Sequence, residues 1–445
     1  QRGDPRVVTP GSVGNIARIP ELNRRILFTF GMLAVYRIGC AVPTPGIDPV
    51  EIRRYFEQSS DGGMFGLLNL FTGGAFEQLS IFSLGIMPYV SASIILQLVT
   101  VVIPKLEELK KEGDEGRRVI TRWTRYGTVI LAVVQGMLMA TALEGGALGA
   151  NTVLEPGWAF RFSTILTLTA GTSFIMWLGE QINERGIGNG ISLVIFAGIV
   201  TSIPSALARV WDMVRTDQLA PISVILLFGF MVAVVGVIVY FERAQRRIPI
   251  QYARRVVGRR QLAGGMTYFP LRLNTSGVIP PIFASSLLVL PIQIAQWTGM
   301  ESIGDFVNDY FGFSTWGHNL TYVALIIFFA YFYTGVMLNP DDVAENVKKN
   351  GGYIPGIRPG KRTAEYIQRV MNRITAVGAL YLAAICVLPN MLQSQFAVPF
   401  IFGGTALLIV VGVAMDTVGQ VEAHLVAHNY DSFVQGARLR GRGGR

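Results

Sequence analysis

The chain has 445 residues, of which 51% are hydrophobic and only 15% charged, with a mean hydropathy of +0.44. Soluble domains carry about a quarter charged residues, so this apolar excess needs lipid as part of its solvent and excludes a soluble catalytic domain. The net charge of +9 would suit either nucleic acid or cytoplasmic membrane loops, and the loop pattern decides for the loops.

The first twenty residues are polar and rich in Arg, Gly and Pro, unlike a cleavable signal peptide. Apolar runs then fall near 22–42, 78–102, 122–143, 158–179, 187–208, 221–241, 275–297, 319–338, 374–391 and 397–418. Each is close to the about 20 residues that cross about 30 Å of hydrocarbon as a helix. Gly, Ala, Ser and Thr are mixed among the aliphatics, and small residues let helices approach closely in lipid. The pattern therefore predicts an all-α polytopic membrane protein with ten spans.

The loops alternate in charge. The amino-terminal segment is basic, with Arg2, Arg6, Arg18, Arg24 and Arg25, and the next loop is acidic overall. Basic character returns at Lys105–Arg125, again at 243–272 between spans six and seven, and again at 339–373 between spans eight and nine. The loops after spans three and seven carry Glu144, Glu155, Glu301, Asp305 and Asp309. Counting Lys and Arg alone puts the even-numbered loops and both termini in the cytoplasm. Arg37 and Asp416 lie inside spans but near their ends, where a side chain can snorkel or pair. Cys40 and Cys386 lie in or beside apolar runs, and no disulfide framework is implied.

Several segments invite a functional reading. Asp61 to Phe76 is too short and glycine-rich to cross a bilayer, yet too apolar for an exposed loop. It reads either as an interfacial re-entrant anchor or as a mobile stopper hinged by Gly62, Gly63, Gly66, Gly73 and Gly74. The 243–272 loop holds eight Arg; Ile248, Ile250 and Tyr252 alternate as in a strand, and the Arg pairs beyond them suggest a hairpin. Its charge exceeds what orientation and anionic lipid require, so a docking surface for a polyanion or acidic partner is the stronger reading. GGYIPGIRPGKRT is turn-rich, but Gly356 and Gly360 stand four apart and Arg362 replaces Ser/Thr, so no phosphate loop is expected. ERGIGNGIS, Glu184 to Ser192, reads as a tight cytoplasmic turn that opens a helix. His424 and His428 lack a third ligand, and no metal or other cofactor is expected.

Taken together, these segments resemble the SecY family, the channel-forming subunits of the bacterial protein-conducting translocon. The matches are RIGCAVPTPGID (Arg37 to Asp48), LGIMPYVSASIILQL (Leu84 to Leu98), LKKEGDEGRR (Leu109 to Arg118) and WLGEQINERGIGNGIS (Trp177 to Ser192). They continue with NTSGVIPPIFASS (Asn274 to Ser286), GIRPG (Gly356 to Gly360) and PFIFGGTALLIVV (Pro399 to Val411), in family order over nearly the whole chain.

The resemblance implies two inverted-repeat halves around a central pore, 1–208 with spans one to five and 209–445 with spans six to ten. It implies a non-enzymatic channel for unfolded secretory polypeptides that also releases transmembrane segments sideways into lipid. The aliphatic pore ring falls on Ile86, Val90, Ile191, Ile195, Ile282 and Ile409, with Pro281 in place of a small residue beside Ile282. The plug falls on 61–76, with Gly63, Met64, Phe65, Leu67, Leu68, Leu70 and Phe71. Ser91, Gln97 and Asn274 fall on the lateral gate formed by spans two and seven. Arg259, Arg260, Lys349 and Arg358 fall on the surface that docks the ribosome or the motor ATPase SecA. The implied partners are the small membrane subunits SecE and SecG, SecA, the ribosome, signal peptides, nascent polypeptides and anionic lipids, in the bacterial cytoplasmic membrane. An ion- or proton-coupled secondary transporter could also use inverted repeats, but it needs ionisable groups at mid-depth that these spans nearly lack.

Overall fold

The structure, a computed structural model, describes residues 19–440 other than 49, 53, 55–68, 70–71, 147–151, 218–219, 253–254, 258–259, 263–264, 299–309, 311–314 and 397–403. It is built on long helices. In chain order they are α1 (Pro20–Cys40), α2 (Met87–Val102), α3 (Pro104–Lys111), α4 (Asp114–Glu144), α5 (Trp158–Arg185), α6 (Gly190–Arg215) and α7 (Pro221–Arg243). After strands β1 (Gln245–Tyr252), β2 (Arg255–Val257), β3 (Arg260–Leu262) and β4 (Met266–Arg272) come α8 (Ile279–Thr298), α9 (Trp316–Met337) and α10 (Pro340–Lys349). The short strand β5 (Gly352–Tyr353) precedes α11 (Lys361–Phe396) and α12 (Gly404–Arg440).

Each of the ten apolar runs has a helix at its place. Among the described residues seven helices are long and apolar enough to cross a membrane, or eight if the bent α2–α3 pair counts as one span. The charges of α1 keep it outside that count. In the second run one boundary differs from the hydropathy pattern and the other agrees with it. The second run begins at 78, but the helix begins only at Met87, because Leu79 and Gly85 both have positive φ, and Pro88 sits in the first turn. At the other end Ile103 is extended ahead of Pro104, and the chain bends by 106° onto the charged α3.

The chain divides into two compact units, Gln1–Ser205 with Val413–Arg445, and Ala206–Gly412. In the first, α4 packs on α2 and α5, and α1 packs on α5. Ile47, Ile52, Leu79, Ala140, Leu143 and Phe160 form one of its buried clusters. In the second, α9 packs between α8 and α11. Beside its helices it carries a three-stranded sheet of order β4-β1-β5, antiparallel throughout, with Ile248 paired to Phe269 and Gln251 to Tyr353.

Candidate functional site

The aliphatic candidates sit at the beginnings of helices. Ile86 caps the start of α2 and Val90 follows one turn later on the same face; both are buried. Ile191 and Ile195 repeat that spacing in the first two turns of α6, where Ile195 is buried and Ile191 half-buried. The turn that opens α6 is specified side chain by side chain. Asn183 Oδ1 accepts from the Gly190 amide at 2.7 Å, and Asn189 Oδ1 accepts from the Ile191 amide at 3.1 Å, which is an N-cap. These four residues belong to the first unit.

Ile282 and Ile409 belong to the second unit and are both buried. Pro280 and Pro281 lie in the first turn of α8, where the missing N–H groups have no intrahelical partner to lose, so Pro281 leaves the helix intact. Gly412, one turn beyond Ile409, abuts Val278, which lies one turn before Ile282; the start of α8 and this part of α12 are thereby brought together.

The gate candidates lie on α2 and at the entrance to α8. Ser91 is buried, and Gln97 donates from Nε2 to Ser93 Oγ at 3.2 Å. Its Oε1 is buried with no hydrogen-bond partner among the described residues. Asn274 is buried within the second unit, where Nδ2 donates to Glu242 Oε1 at 2.6 Å and to the Gly277 carbonyl at 3.0 Å, while Oδ1 accepts from Ser276 at 3.2 Å. Sequence reading passed over Glu242, the carboxylate that closes α7 and ties it to the start of α8. Its signal is an acid, followed by Arg243, at the end of an otherwise uncharged helix.

Of the stopper candidates, Gly63, Met64, Phe65, Leu67, Leu68, Leu70 and Phe71 lie outside the described residues. The turn that follows them is described. Asn69 and Glu77 bracket it, Asn69 Oδ1 accepting from the Glu77 amide at 3.1 Å and Nδ2 donating to Glu77 Oε2 at 2.9 Å.

The two basic loops meet in one platform. In β1, Ile248 and Ile250 point inward and are buried, as the period-two pattern predicts. β5, from the second loop, extends the same sheet, and Ile248 and Leu271 share a cluster with Ile354, Ile367, Val370 and Ile374. Arg260 starts β3, paired through its backbone with Val257 at the tip; Arg259 lies outside the described residues. Lys349 ends α10 and pairs with Glu345 at 3.0 Å, both side chains well exposed. Arg358 is exposed on a tight turn whose conformation is fixed by Thr363, which donates to the Arg358 carbonyl at 2.9 Å. Cys40 and Cys386 are buried free thiols, and no cluster of metal-ligating residues occurs among the described residues.

A family model described as SecY matches residues 80–418. The chain is 47% identical to the protein translocase subunit SecY of Escherichia coli K12 over 426 residues, covering 95% of this chain and 96% of the relative. The chain belongs to the SecY family. Solved structures share the fold. One, a SecY channel whose plug domain stabilises the closed state and maintains a membrane seal, aligns with a TM-score of 0.65 over 93% of this chain and 97% of its own, at 20% identity. Another is Sec61 in a canine ribosome–channel complex, with a TM-score of 0.62, 18% identity, and coverage of 93% and 97%. SecY members are protein translocase subunits, so family membership favours a multi-pass translocation component over both an ion-coupled transporter and an enzyme.

Proposed function

We propose that this chain is the pore-forming subunit of a bacterial protein translocon in the cytoplasmic membrane, with both termini in the cytoplasm. The observation that carries the reading is near-full-length identity of 47% to a SecY translocase subunit. Unfolded secretory polypeptides pass through a constriction made by Ile86, Val90, Ile191, Ile195, Ile282 and Ile409. A ring of branched aliphatic side chains excludes ions by dewetting and offers a sliding chain no polar group to stick to. The segment 61–76 stoppers the resting pore, a reading supported by its paired glycines and by the plug domain of the solved relative. α2 and α8, with Ser91, Gln97 and Asn274, form the lateral gate through which signal peptides and transmembrane segments of nascent polypeptides reach lipid. The sheet platform with Arg259, Arg260, Lys349 and Arg358 docks SecA or the ribosome, as a ribosome-bound Sec61 relative supports. SecE and SecG are the small membrane partners, and anionic lipids contact the basic loops.

The test is to replace Ile282 or Ile409 by Asn in the reconstituted complex. A polar side chain wets the constriction, so ion conductance should rise and substrates with defective signal sequences should be exported. Unchanged conductance and unchanged selectivity in both variants would overturn the pore assignment.

A further inference from the structure

Two consecutive carbonyls near the downstream end of the stopper segment receive three donors from α1. Tyr36 Oη donates to the Thr72 carbonyl at 3.1 Å, the Arg37 guanidinium donates through Nη1 to the Gly73 carbonyl, and the Cys40 thiol reaches Thr72 O at 3.9 Å. Tyr36 and Cys40 stand four apart on one face of α1 and are buried, and Tyr36 is held by stacking on Phe82, ring centroids 5.9 Å apart. The receiving turn is equally fixed. Gly73 and Gly74 have φ of +67° and +86°, and the Gly74 amide donates to the Asn69 carbonyl at 3.0 Å. A Cβ on Gly73 would stand 2.7 Å from Gly198 Cα of α6, so this glycine is required both by its backbone conformation and by the close approach. Beside Arg37 a cleft of about 320 Å³ is walled mainly by apolar side chains, among them Phe30, Leu33, Phe196 and Val200, together with Thr201.

We infer that Arg37 and Tyr36 form a latch that anchors the downstream root of the plug, so that Gly73–Gly74 is a pinned turn rather than a free hinge. Arg37 is then the positioning residue that sets how firmly the plug seats. A charged donor makes a stronger hydrogen bond than a neutral one, so Arg37 should contribute more to the seat than Tyr36. The alternative for Arg37, a guanidinium that merely snorkels to the interface, gives it no influence on gating. This inference rests on the reading of 61–76 as a plug.

The test measures resting ion leak of the complete reconstituted translocon in intact and plug-deleted chains, the deletion spanning Gly63 to Phe71. In the intact chain, Arg37→Gln should raise the leak about tenfold, Tyr36→Phe by a smaller factor, and Arg37→Lys least, since it retains a charged donor. In the plug-deleted chain Arg37→Gln should add nothing, because there is no longer a plug to seat. Normal accumulation and protease resistance of each variant separate these effects from misfolding, and Tyr36→Phe, compared in the same two backgrounds, serves if Arg37→Gln does not accumulate. If plug deletion leaks but Arg37→Gln does not, or if it multiplies the leak equally in both backgrounds, the latch is overturned while the plug stands. If plug deletion itself fails to leak, the plug reading falls first and takes the latch with it.

Discussion

Gly171, midway along α5 in the first unit, lies so close to Ile81 that an added Cβ would collide with the Ile81 carbonyl oxygen, whereas the platform of the second unit closes around six aliphatic side chains. Lipid tails are as apolar as Leu, so burying Leu against Leu inside a membrane gains little, and helices are held by close approach of small residues. The platform is a sheet between apolar helices rather than part of one, and in water each fully buried aliphatic contributes about 1.5–3 kcal/mol. It can therefore be assembled from a sheet only three strands wide and still leave Arg246, Arg247 and Arg358 exposed.

The same distinction runs between helices. α7 has a mean hydropathy of 3.0 in its most apolar stretch and is only 6% buried there, while α11 has 1.7 and is 56% buried. The most hydrophobic helix is the one solvated by other molecules, and the moderate one is solvated by its own chain.

The largest effect expected from this contrast is at the glycine approach. Gly171→Leu should prevent the first unit from assembling, because the obstacle is a backbone carbonyl that no rotamer change can move. The expected loss exceeds about 4 kcal/mol, the exceptional end for a single substitution. Protease-resistant protein in membranes measures it. Wild-type levels would show that the N-terminal unit does not depend on that approach.

A smaller and local loss is expected on the platform. Ile367→Ala removes a buried side chain from the cluster shared with Ile248 and Leu271, at a cost of about 2–4 kcal/mol. The platform should open while the membrane bundle stays assembled, since the sheet and the spans are stabilised by different solvents. Amide exchange of β1 and β4 should accelerate, with thermal unfolding of the detergent-solubilised bundle unchanged. Loss of both together would mean that the two regions fold as one body.

Much of this architecture is legible in the sequence because hydropathy reports solvent directly. The ten runs mark helices, the alternating loop charge implies a topology, and Ile248 and Ile250 reveal their strand by period two. What stays hidden depends on partners distant in sequence. β5 is two residues long and carries no periodicity, so its union with β1, which joins the two basic loops, cannot be read from either loop alone. Glu242 and Asn274 are 32 positions apart, and Arg37 and Gly73 are 36 apart. Nothing local marks these as pairs. Glycines are also ambiguous in sequence: Gly73 and Gly74 read as a hinge because glycine permits many conformations, and nothing local shows that the Gly73 carbonyl accepts from Arg37 or that the Gly74 amide donates to the Asn69 carbonyl.

The smallest effect is expected where the platform is exposed and bears no packing load. Arg358 sits on a turn whose shape is set by the Thr363 hydroxyl bonding to the Arg358 carbonyl, so its side chain can change without altering the loop. Arg358→Glu should therefore leave the unfolding temperature within error and weaken binding of purified SecA or ribosomes by about tenfold, from lost attraction plus added repulsion. Arg358→Lys should recover part of that, since it keeps the charge but loses the planar fork that engages two acceptors at once. The loss should shrink as salt rises from 0.05 to about 0.5 M, because an exposed charge contact is screened over about 10 Å at 0.1 M and less above it. If Arg358 only enforces loop orientation, the pattern inverts: protease accessibility of the loops changes, and partner affinity is normal in whatever inserts correctly. Correct topology with undiminished affinity would remove Arg358 from the docking surface and leave the platform's arginines as orientation signals alone.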